Sequence, residues 1–185
     1  TGGAEEVSVE LAKALFDVNV FGAFRMIGEV LPVMRHQKSG RIVNISSVLG
    51  FIPAPFMAHY AATKHALEGY SESLDHEVRS FGIRVLLVEP AYTRTSFDVN
   101  ALQADRLLPD YEAGRANADI VMRKSMTAGD LPEPVAQTVL EAIAAKTPRL
   151  RYPAGKLARQ VTMLRRFVPA SAFDKSLRKQ NGLPA

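Results

Sequence analysis

The stretch Tyr60-Ala61-Ala62-Thr63-Lys64 lies inside a run from Phe56 to Val78 whose pattern predicts one long helix. Residues four apart share one face of a helix and are separated by a turn of about 6 Å, so Tyr60 and Lys64 are expected to be neighbours. A free phenol has a pKa of about 10, and an ammonium about 4 Å away stabilises the phenolate and lowers that pKa toward neutrality. The spacing therefore predicts a tyrosine that can exchange protons near pH 7.

Two apolar segments flank this helix. Arg41 to Ser46 precedes it, within Gly40-Arg41-Ile42-Val43-Asn44-Ile45-Ser46-Ser47, and Ile83 to Val88 follows it. A strand, a helix of about 20 residues and a second strand predict a βαβ unit in a parallel sheet that is covered on both faces. Ser47 stands at the carboxyl end of the first strand, where open α/β sheets bind their ligands. The predicted fold class is therefore α/β.

The rest of the chain predicts further helices and one more strand. A first helix, capped by Ser8, is expected to run to about His36 with a bend near Asn19. Residues 94–130 show weaker periodicity. The remaining expected elements are helices near Asp105 and Asn117, a helix from Pro132 to Ala145, a short strand from Arg149 to Tyr152, and basic helices at Gly155 to Phe167 and Ser171 to Gln180.

The composition is that of one soluble globular domain. Of the 185 residues, 47% are hydrophobic and 23% are charged. No apolar run reaches the roughly 18 residues of a membrane span, and the absence of cysteine excludes disulfides and thiolate metal sites. The four histidines show no metal-ligand spacing with carboxylates, so no metal site is predicted. These features favour a cytoplasmic protein.

Basic charge is concentrated near the carboxyl end. Residues 149–185 contain nine Lys or Arg and only Asp174 as an acid, whereas residues 1–148 contain 14 basic and 18 acidic residues. An apolar stripe also runs along this segment: Leu157, Val161, Leu164 and Val168. A basic helix with such a stripe can bind a membrane surface, but more often it covers the protein's own pocket or a partner subunit, which is the expectation here. Nucleic-acid binding is not expected, because few aromatic residues lie among the basic ones.

Four motifs agree in order and spacing: Asp17-Val18-Asn19-Val20-Phe21-Gly22, Asn44-Ile45-Ser46-Ser47, Tyr60 with Lys64, and Val88-Glu89-Pro90-Ala91-Tyr92-Thr93. Together they resemble the short-chain dehydrogenase/reductase family, nearest to its bacterial hydroxysteroid and retinol dehydrogenase-like members. The resemblance implies a Rossmann-type, doubly wound parallel sheet, of which this chain is the carboxyl-terminal portion. Residues 1–185 would form a single partial domain, with 94–130 as a substrate-covering segment and 154–185 as a basic helical tail.

The resemblance assigns a role to each catalytic candidate. Tyr60 would be the acid and base, and Ser47 would hold and polarise the substrate oxygen. Lys64 would lower the pKa of Tyr60 and bind the ribose hydroxyls of the nicotinamide cofactor. Asn19 would bend its helix and help to hold a water that links Lys64 to solvent. The spacing to Tyr60 favours Ser47 over Ser46, and Ser47 lacks the Gly-x-Ser-x-Gly turn of an α/β-hydrolase.

The resemblance also implies cofactor contacts after the second predicted strand. Tyr60 and Lys64 would be joined there by Pro90, Ala91 and Thr93, with Thr93 as a side-chain donor to the nicotinamide carboxamide. The family usually has glycine where this chain has Ala91, which restricts the backbone and makes that contact less secure. Asn44, inside the first strand, is expected to be structural.

One family feature is absent from the sequence. Members of the family carry a Gly-x-x-x-Gly-x-Gly turn whose amides meet the cofactor's pyrophosphate, and this chain has none. The expectation is a chain that begins after the fourth strand of the parent fold and leaves its first strand with an unpaired edge.

The implied function is hydride transfer between NAD or NADP and a ketone, aldehyde or alcohol, with NADP favoured by the resemblance alone. An apolar pocket shaped by Val48 to Met57 and Thr95 to Met126 suggests a lipophilic substrate. A homodimer or homotetramer is implied, assembled through the helices around Leu11 to Met34 and Phe56 to Val78. Two alternatives stay open: a non-catalytic fragment or scaffold that assembles through these helices, and a basic-tailed peripheral membrane protein.

Overall fold

A three-stranded parallel sheet forms the centre of the computed structural model, which describes residues 2–97 and 101–183. The strands are β1 (Gly40–Ile45), β2 (Ile83–Pro90) and β3 (Arg151–Ala154), and they lie in the order β1-β2-β3. Gly40 pairs with Ile83 at one end of the first ladder, and Leu87 pairs with Arg151 at the start of the second. The parallel α/β fold is thus confirmed.

Seven α-helices surround this sheet in the described residues. They are α1 (Val9–Phe16), α2 (Gly22–Gln37), α3 (Ala58–Val78), α4 (Glu112–Thr127), α5 (Pro132–Ala144), α6 (Lys156–Phe167) and α7 (Ala170–Gln180). Short 3₁₀ turns lie at Ala4–Glu6, Val48–Gly50, Arg79–Phe81 and Pro109–Tyr111. Within the described ranges, no helix combines the length and the apolar character needed to cross a membrane.

The central strand β2 is buried on both faces. Its residues Ile83 and Val85 to Val88 have no exposed surface, because successive side chains point to opposite sides of the sheet and each side carries helices. One apolar cluster joins Ile83 and Val85 to α2 and α3, and a second joins Leu86 and Val88 to α5 and β3. Helix layers on both faces leave the carboxyl edge of the sheet as the place where loops converge.

The first predicted helix is interrupted where the sequence predicted a bend. Helices α1 and α2 are separated by a π-helical segment, Asp17–Phe21, which contains Asn19. A π-helical turn inserts an extra residue into the helix and is often found at functional sites. Ser8 caps the start of α1, since its hydroxyl accepts a hydrogen bond from the Leu11 amide.

One expected helix is absent, and two expected element boundaries differ from the structure. No helix forms near Asp105, because the Asp105 carboxylate accepts hydrogen bonds from the backbone and hydroxyl of Ser8 instead. Helix α3 begins at Ala58 rather than Phe56, whose backbone is left-handed with φ of 60°. The third strand is Arg151–Ala154 and not Arg149 to Tyr152, since it pairs with the carboxyl half of β2.

A buried carboxylate ties α3 to β2. Asp75 accepts hydrogen bonds from the guanidinium of Arg79 at 2.5 Å, from that of Arg84 at 2.9 Å and from the Val85 amide at 2.9 Å. Burial alone would raise the pKa of Asp75, but the bonds from Arg84, Val85 and Arg79 outweigh burial and hold the pKa below its ordinary value.

We predict that Asp75→Asn lowers the free energy of unfolding by about 2 kcal/mol at pH 7, because charged hydrogen bonds to a buried group are lost. The stabilisation by Asp75 is present above its ordinary pKa of about 3.9 and is lost as the pH falls through the lower pKa of the folded state. Urea unfolding checks this prediction. Glu77→Gln, at an exposed site on the same helix, is the control and should change little; equal effects of the two variants would contradict the role of Asp75.

Candidate active site

Ser47 and Tyr60 meet at the carboxyl edge of the sheet. Ser47 follows β1 and begins a 3₁₀ turn, where its hydroxyl oxygen accepts a hydrogen bond from the Leu49 amide at 3.2 Å. The Ser47 side chain interacts with the Tyr60 phenol and lowers its pKa. Ser46 points elsewhere: its hydroxyl is buried without a hydrogen-bond partner in the described part of the chain. The structure therefore brings Ser47, the serine that the spacing favoured, together with Tyr60.

The phenol of Tyr60 is in its neutral form near pH 7. Burial raises the pKa of Tyr60 above its ordinary value, and the hydrogen bond with Ser47, which stabilises the phenolate, offsets only part of that rise. The sequence-based expectation of a lowered pKa is therefore not met in this structure. The physical reason is desolvation of the ring, which also packs against Phe97 with 5.3 Å between the ring centroids.

Lys64 lies on the same face of α3 as Tyr60. Its ammonium donates a hydrogen bond to the Ile45 carbonyl at 2.9 Å and lies 5.7 Å from the centroid of the Tyr60 ring. Burial lowers the pKa of Lys64 to about 8, because the charged ammonium is partly removed from water. At neutral pH the group still carries a positive charge beside the phenol.

Asn19 contacts α3 directly. Its side-chain amide donates to the Thr63 hydroxyl at 3.1 Å, and that hydroxyl donates to the backbone carbonyl of Tyr60 at 2.7 Å. Thr63 is completely buried. The π-helical turn around Asn19 is thus attached to the turn of α3 that carries the Tyr60 and Lys64 side chains, while the water link to Lys64 stays a prediction.

The loop after β2 lies at the same edge. Pro90 ends the strand, and Thr93 forms an isolated parallel bridge with Asp130. The Thr93 hydroxyl donates to the Ala91 carbonyl at 3.3 Å. Ala91 packs against an apolar cluster around Val48, so the methyl group that replaces the usual glycine hydrogen is accommodated there. The predicted cofactor contacts of Pro90, Ala91 and Thr93 stay predictions.

A cavity of about 600 Å³ opens beside the Tyr60 ring. Apolar side chains line most of it, from α1, from the loop before α3 and from the segment after β2: Leu11, Leu15, Val18, Phe56, Met57, Phe97 and Leu102. The polar groups in its wall are Asn19, His59, Tyr60 and Ser96. The sequence predicted that the loop before α3 and the segment after β2 shape a pocket. It did not predict that α1 also lines the pocket. In the described residues, no group of three His, Asp or Glu side chains is placed to hold a metal ion.

Sequence reasoning missed a polar strap between residues 3–8 and 105–115. The buried carboxylate of Glu6 accepts hydrogen bonds from the amides of Gly3 and Leu108, each at 2.8 Å, and forms an ion pair with Arg115. Burial acts to raise the pKa of Glu6, but the bonds from Leu108, Gly3 and Arg115 together hold it below its ordinary value. This strap joins α1 to the segment that follows the cavity residue Leu102.

A second missed group lies directly before Pro90. The buried carboxylate of Glu89 is 3.0 Å from the Arg151 guanidinium, which also pairs with Glu68 and Glu72 of α3. Burial raises the pKa of Glu89 to about 7. One arginine thus joins β3 to α3 and to the end of β2. No local sequence pattern identifies such partners, because they are far apart in the chain. Arg151 and Glu89 are 62 residues apart, and Arg115 and Glu6 are 109 residues apart.

Comparison with known proteins is consistent with this geometry. Residues 1–106 match the family model described as short chain dehydrogenase. An uncharacterized oxidoreductase of Schizosaccharomyces pombe is 32% identical over 179 residues, which cover 97% of this chain and 75% of that protein. The 3-ketodihydrosphingosine reductase of Bacteroides thetaiotaomicron is 34% identical over 159 residues, which cover 84% of this chain and 59% of that enzyme.

A solved structure has the same arrangement of elements. The short-chain dehydrogenase/reductase of Burkholderia phymatum, crystallised in complex with NAD, superposes with a TM-score of 0.74 and 25% sequence identity. The superposition covers 96% of this chain and 63% of that protein.

We predict that Lys64 loses its proton with a midpoint near pH 8, well below the ordinary lysine pKa of about 10.5. Because the unfolded chain keeps this proton up to about pH 10.5, the contribution of Lys64 makes the fold more stable as the pH rises between these values. Carbon-13 NMR of the lysine Cε resonances measures the midpoints. Lys64→Met should remove the signal that titrates near pH 8, and the absence of such a signal from the unaltered protein would contradict the prediction.

We also predict that Glu6→Gln raises the hydrogen-exchange rate of the Leu108 amide by about tenfold or more, because that amide loses a charged acceptor. Exchange followed by mass spectrometry or NMR checks this. Glu10→Gln, on the exposed side of α1, is the matched control and should leave Leu108 unchanged. Unchanged exchange in Glu6→Gln would mean that other contacts hold residues 105–115 in place.

Proposed function

The chain belongs to the short-chain dehydrogenase/reductase family of nicotinamide-dependent oxidoreductases, and on that premise we propose that it interconverts a carbonyl group and an alcohol with Tyr60 as the acid and base. The observation that carries this proposal is the meeting of the Ser47 and Tyr60 side chains next to an apolar cavity. Lys64 on the next turn supports it.

In the direction of reduction, Tyr60 would donate its phenol proton to the carbonyl oxygen of the substrate. Its raised pKa keeps the proton on the phenol at neutral pH until negative charge develops on that oxygen. Ser47 would donate a hydrogen bond to the same oxygen and hold it beside Tyr60. The positive charge of Lys64 would stabilise the phenolate that remains after transfer, and Asn19 would keep α3 in position through Thr63.

The polar groups at the carboxyl edge fit the nicotinamide end of NAD or NADP. Lys64 uses one of its three donors on Ile45, as far as the described residues show, and its other donors can reach ribose hydroxyls. Thr93, in the loop after β2, provides a hydroxyl for the carboxamide. When bound, the cofactor supplies the hydride. The Burkholderia phymatum relative was crystallised with NAD, and NADH and NADPH are therefore both to be tested.

A lipophilic substrate fits the cavity. Its volume of about 600 Å³ and its predominantly aliphatic and aromatic wall suit an apolar chain, while the polar atoms needed to orient a carbonyl cluster at Tyr60. The relative from Bacteroides thetaiotaomicron is named a 3-ketodihydrosphingosine reductase. We propose a ketone or aldehyde on a long apolar chain as the substrate class.

Self-association through the first two helices is a further part of the proposal. Val18, Phe21, Met26 and Val33 are exposed by 47% to 72%, although all are large and apolar. Their spacing places them on one broad face of the bent helix, which suits a homodimer or a homotetramer.

We predict that Tyr60→Phe lowers turnover at least about 100-fold and weakens cofactor binding far less, because the variant removes the hydroxyl that transfers the proton and keeps the ring. The assay follows oxidation of NADH and of NADPH with a long-chain ketone, and cofactor fluorescence reports binding. Tyr70→Phe is the control: its ring packs on Phe24 at 4.0 Å, away from the cavity, and it should retain activity. Full turnover by Tyr60→Phe would refute the assigned role.

A further inference from the structure

Helix α6 presents an apolar face to solvent. Leu157, Met163, Leu164 and Phe167 are exposed by 40% to 67%. The face that packs on the protein is narrow: Ala158 is completely buried, and Val161 packs with it against the loop that follows Ser47. The stripe was expected to cover the protein's own pocket or a partner subunit. The first of these is wrong for Leu157 and Leu164, since the small Ala158 takes the inward position, and the second stays a prediction.

Basic side chains border this face. Lys156, Arg159, Arg165 and Arg166 on α6 are exposed, as are Lys175 and Lys179 on α7. The guanidinium of Arg166 lies 5.5 Å from the ring centroid of Phe167, so a cation sits directly beside the most exposed apolar residue. Long basic side chains can keep their charge in the headgroup layer while an apolar neighbour enters the acyl region.

The charge distribution of the whole chain orients this face. Residues 152–185 carry seven basic groups and one acid, whereas residues 1–151 have 16 basic and 18 acidic groups. Arg151 is not counted with the tail because it pairs with Glu68, Glu72 and Glu89. A negatively charged surface would attract the basic carboxyl-terminal segment and repel the remainder of the chain. The cytoplasmic leaflet of a membrane has this negative charge, and each basic residue near it contributes about 1 kcal/mol.

We propose that helices α6 and α7 form a docking surface for an anionic lipid bilayer. The apolar face of α6 enters the interface, and the flanking arginines and lysines bind the headgroups. The opposite side of α6 faces the loop after Ser47, where Ala158 and Val161 pack with Val48 and Ile52. Lipid binding does not depend on the proposed function.

The test is co-sedimentation of the 185-residue chain with sucrose-loaded vesicles. Vesicles of phosphatidylcholine with about 30% phosphatidylglycerol should pellet the chain, and pure phosphatidylcholine vesicles should bind it at least about tenfold more weakly. Raising the NaCl concentration from about 0.1 M to about 0.5 M should release it, because salt screens the charges. No binding to the anionic vesicles, or equal binding to both kinds, would overturn the proposal.

Variants locate the binding surface. Leu164→Ser with Phe167→Ser, and separately Arg159→Gln with Arg166→Gln, should each weaken binding to anionic vesicles about tenfold or more. Leu140→Ser with Ile143→Ser removes equally exposed apolar residues from α5 and should leave binding unchanged. Circular dichroism confirms folding, and the arginine pair, which lies at exposed sites, provides a test even where the apolar variant fails to fold.

Two further outcomes would overturn the proposal. If the control on α5 loses binding as strongly as the α6 variants, the interaction does not involve the face described. If Leu164→Ser with Phe167→Ser converts a dimer to a monomer in sedimentation equilibrium and leaves vesicle binding intact, the face joins two copies of the chain. Activity is measured separately, so loss of turnover with intact lipid binding would count against the proposed function alone.

Discussion

Burial of β2 on both faces is the constraint on which the rest of the structure depends. A strand whose residues Ile83 and Val85 to Val88 are all withdrawn from water needs a helix layer on each side, and α2 with α3 supplies one layer while α5 supplies the other. Because the strands are parallel, their carboxyl ends lie at one edge, and only loops and helix termini can gather there. The parallel strand order therefore brings three segments together: the Ser47 loop, the start of α3 and the loop after Pro90.

The second layer of organisation is made of buried charges, each matched to a partner far along the chain. Asp75 joins α3 to β2, Arg151 joins β3 to Glu68 and Glu89, and Glu6 joins the beginning of the described chain to Arg115. An ion withdrawn from water is tolerated only where its partners are already in position. These pairs consequently report that the sheet, its helices and the strap over the cavity are formed together.

This difference explains what could be predicted from the sequence. Local periodicity and the geometry of parallel strands predict β1, β2, the long helix α3 and the meeting of Tyr60 with Ser47 and Lys64, and the structure agrees with each of them. The bend predicted at Asn19 coincides with the π-helical segment. The Glu6 strap, the Thr63 link and the missing helix at Asp105 depend on contacts between distant segments, which periodicity does not encode. Leu157 and Leu164 point outward because Ala158 takes the inward position, and Ala158 is not part of the apolar stripe that the sequence shows.

Desolvation acts in opposite directions on the two titratable groups at the candidate active site. It raises the pKa of Tyr60 above its ordinary value near 10, and it lowers the pKa of Lys64 to about 8. A phenolate left after proton donation is thus the stronger base of the pair, and the Lys64 ammonium is the stronger acid. The ammonium lies 5.7 Å from the centroid of the Tyr60 ring, so the two groups share one water-poor environment. One physical cause, removal of the site from water, therefore holds the proton on Tyr60 and at the same time makes the Lys64 ammonium more acidic than a lysine in water.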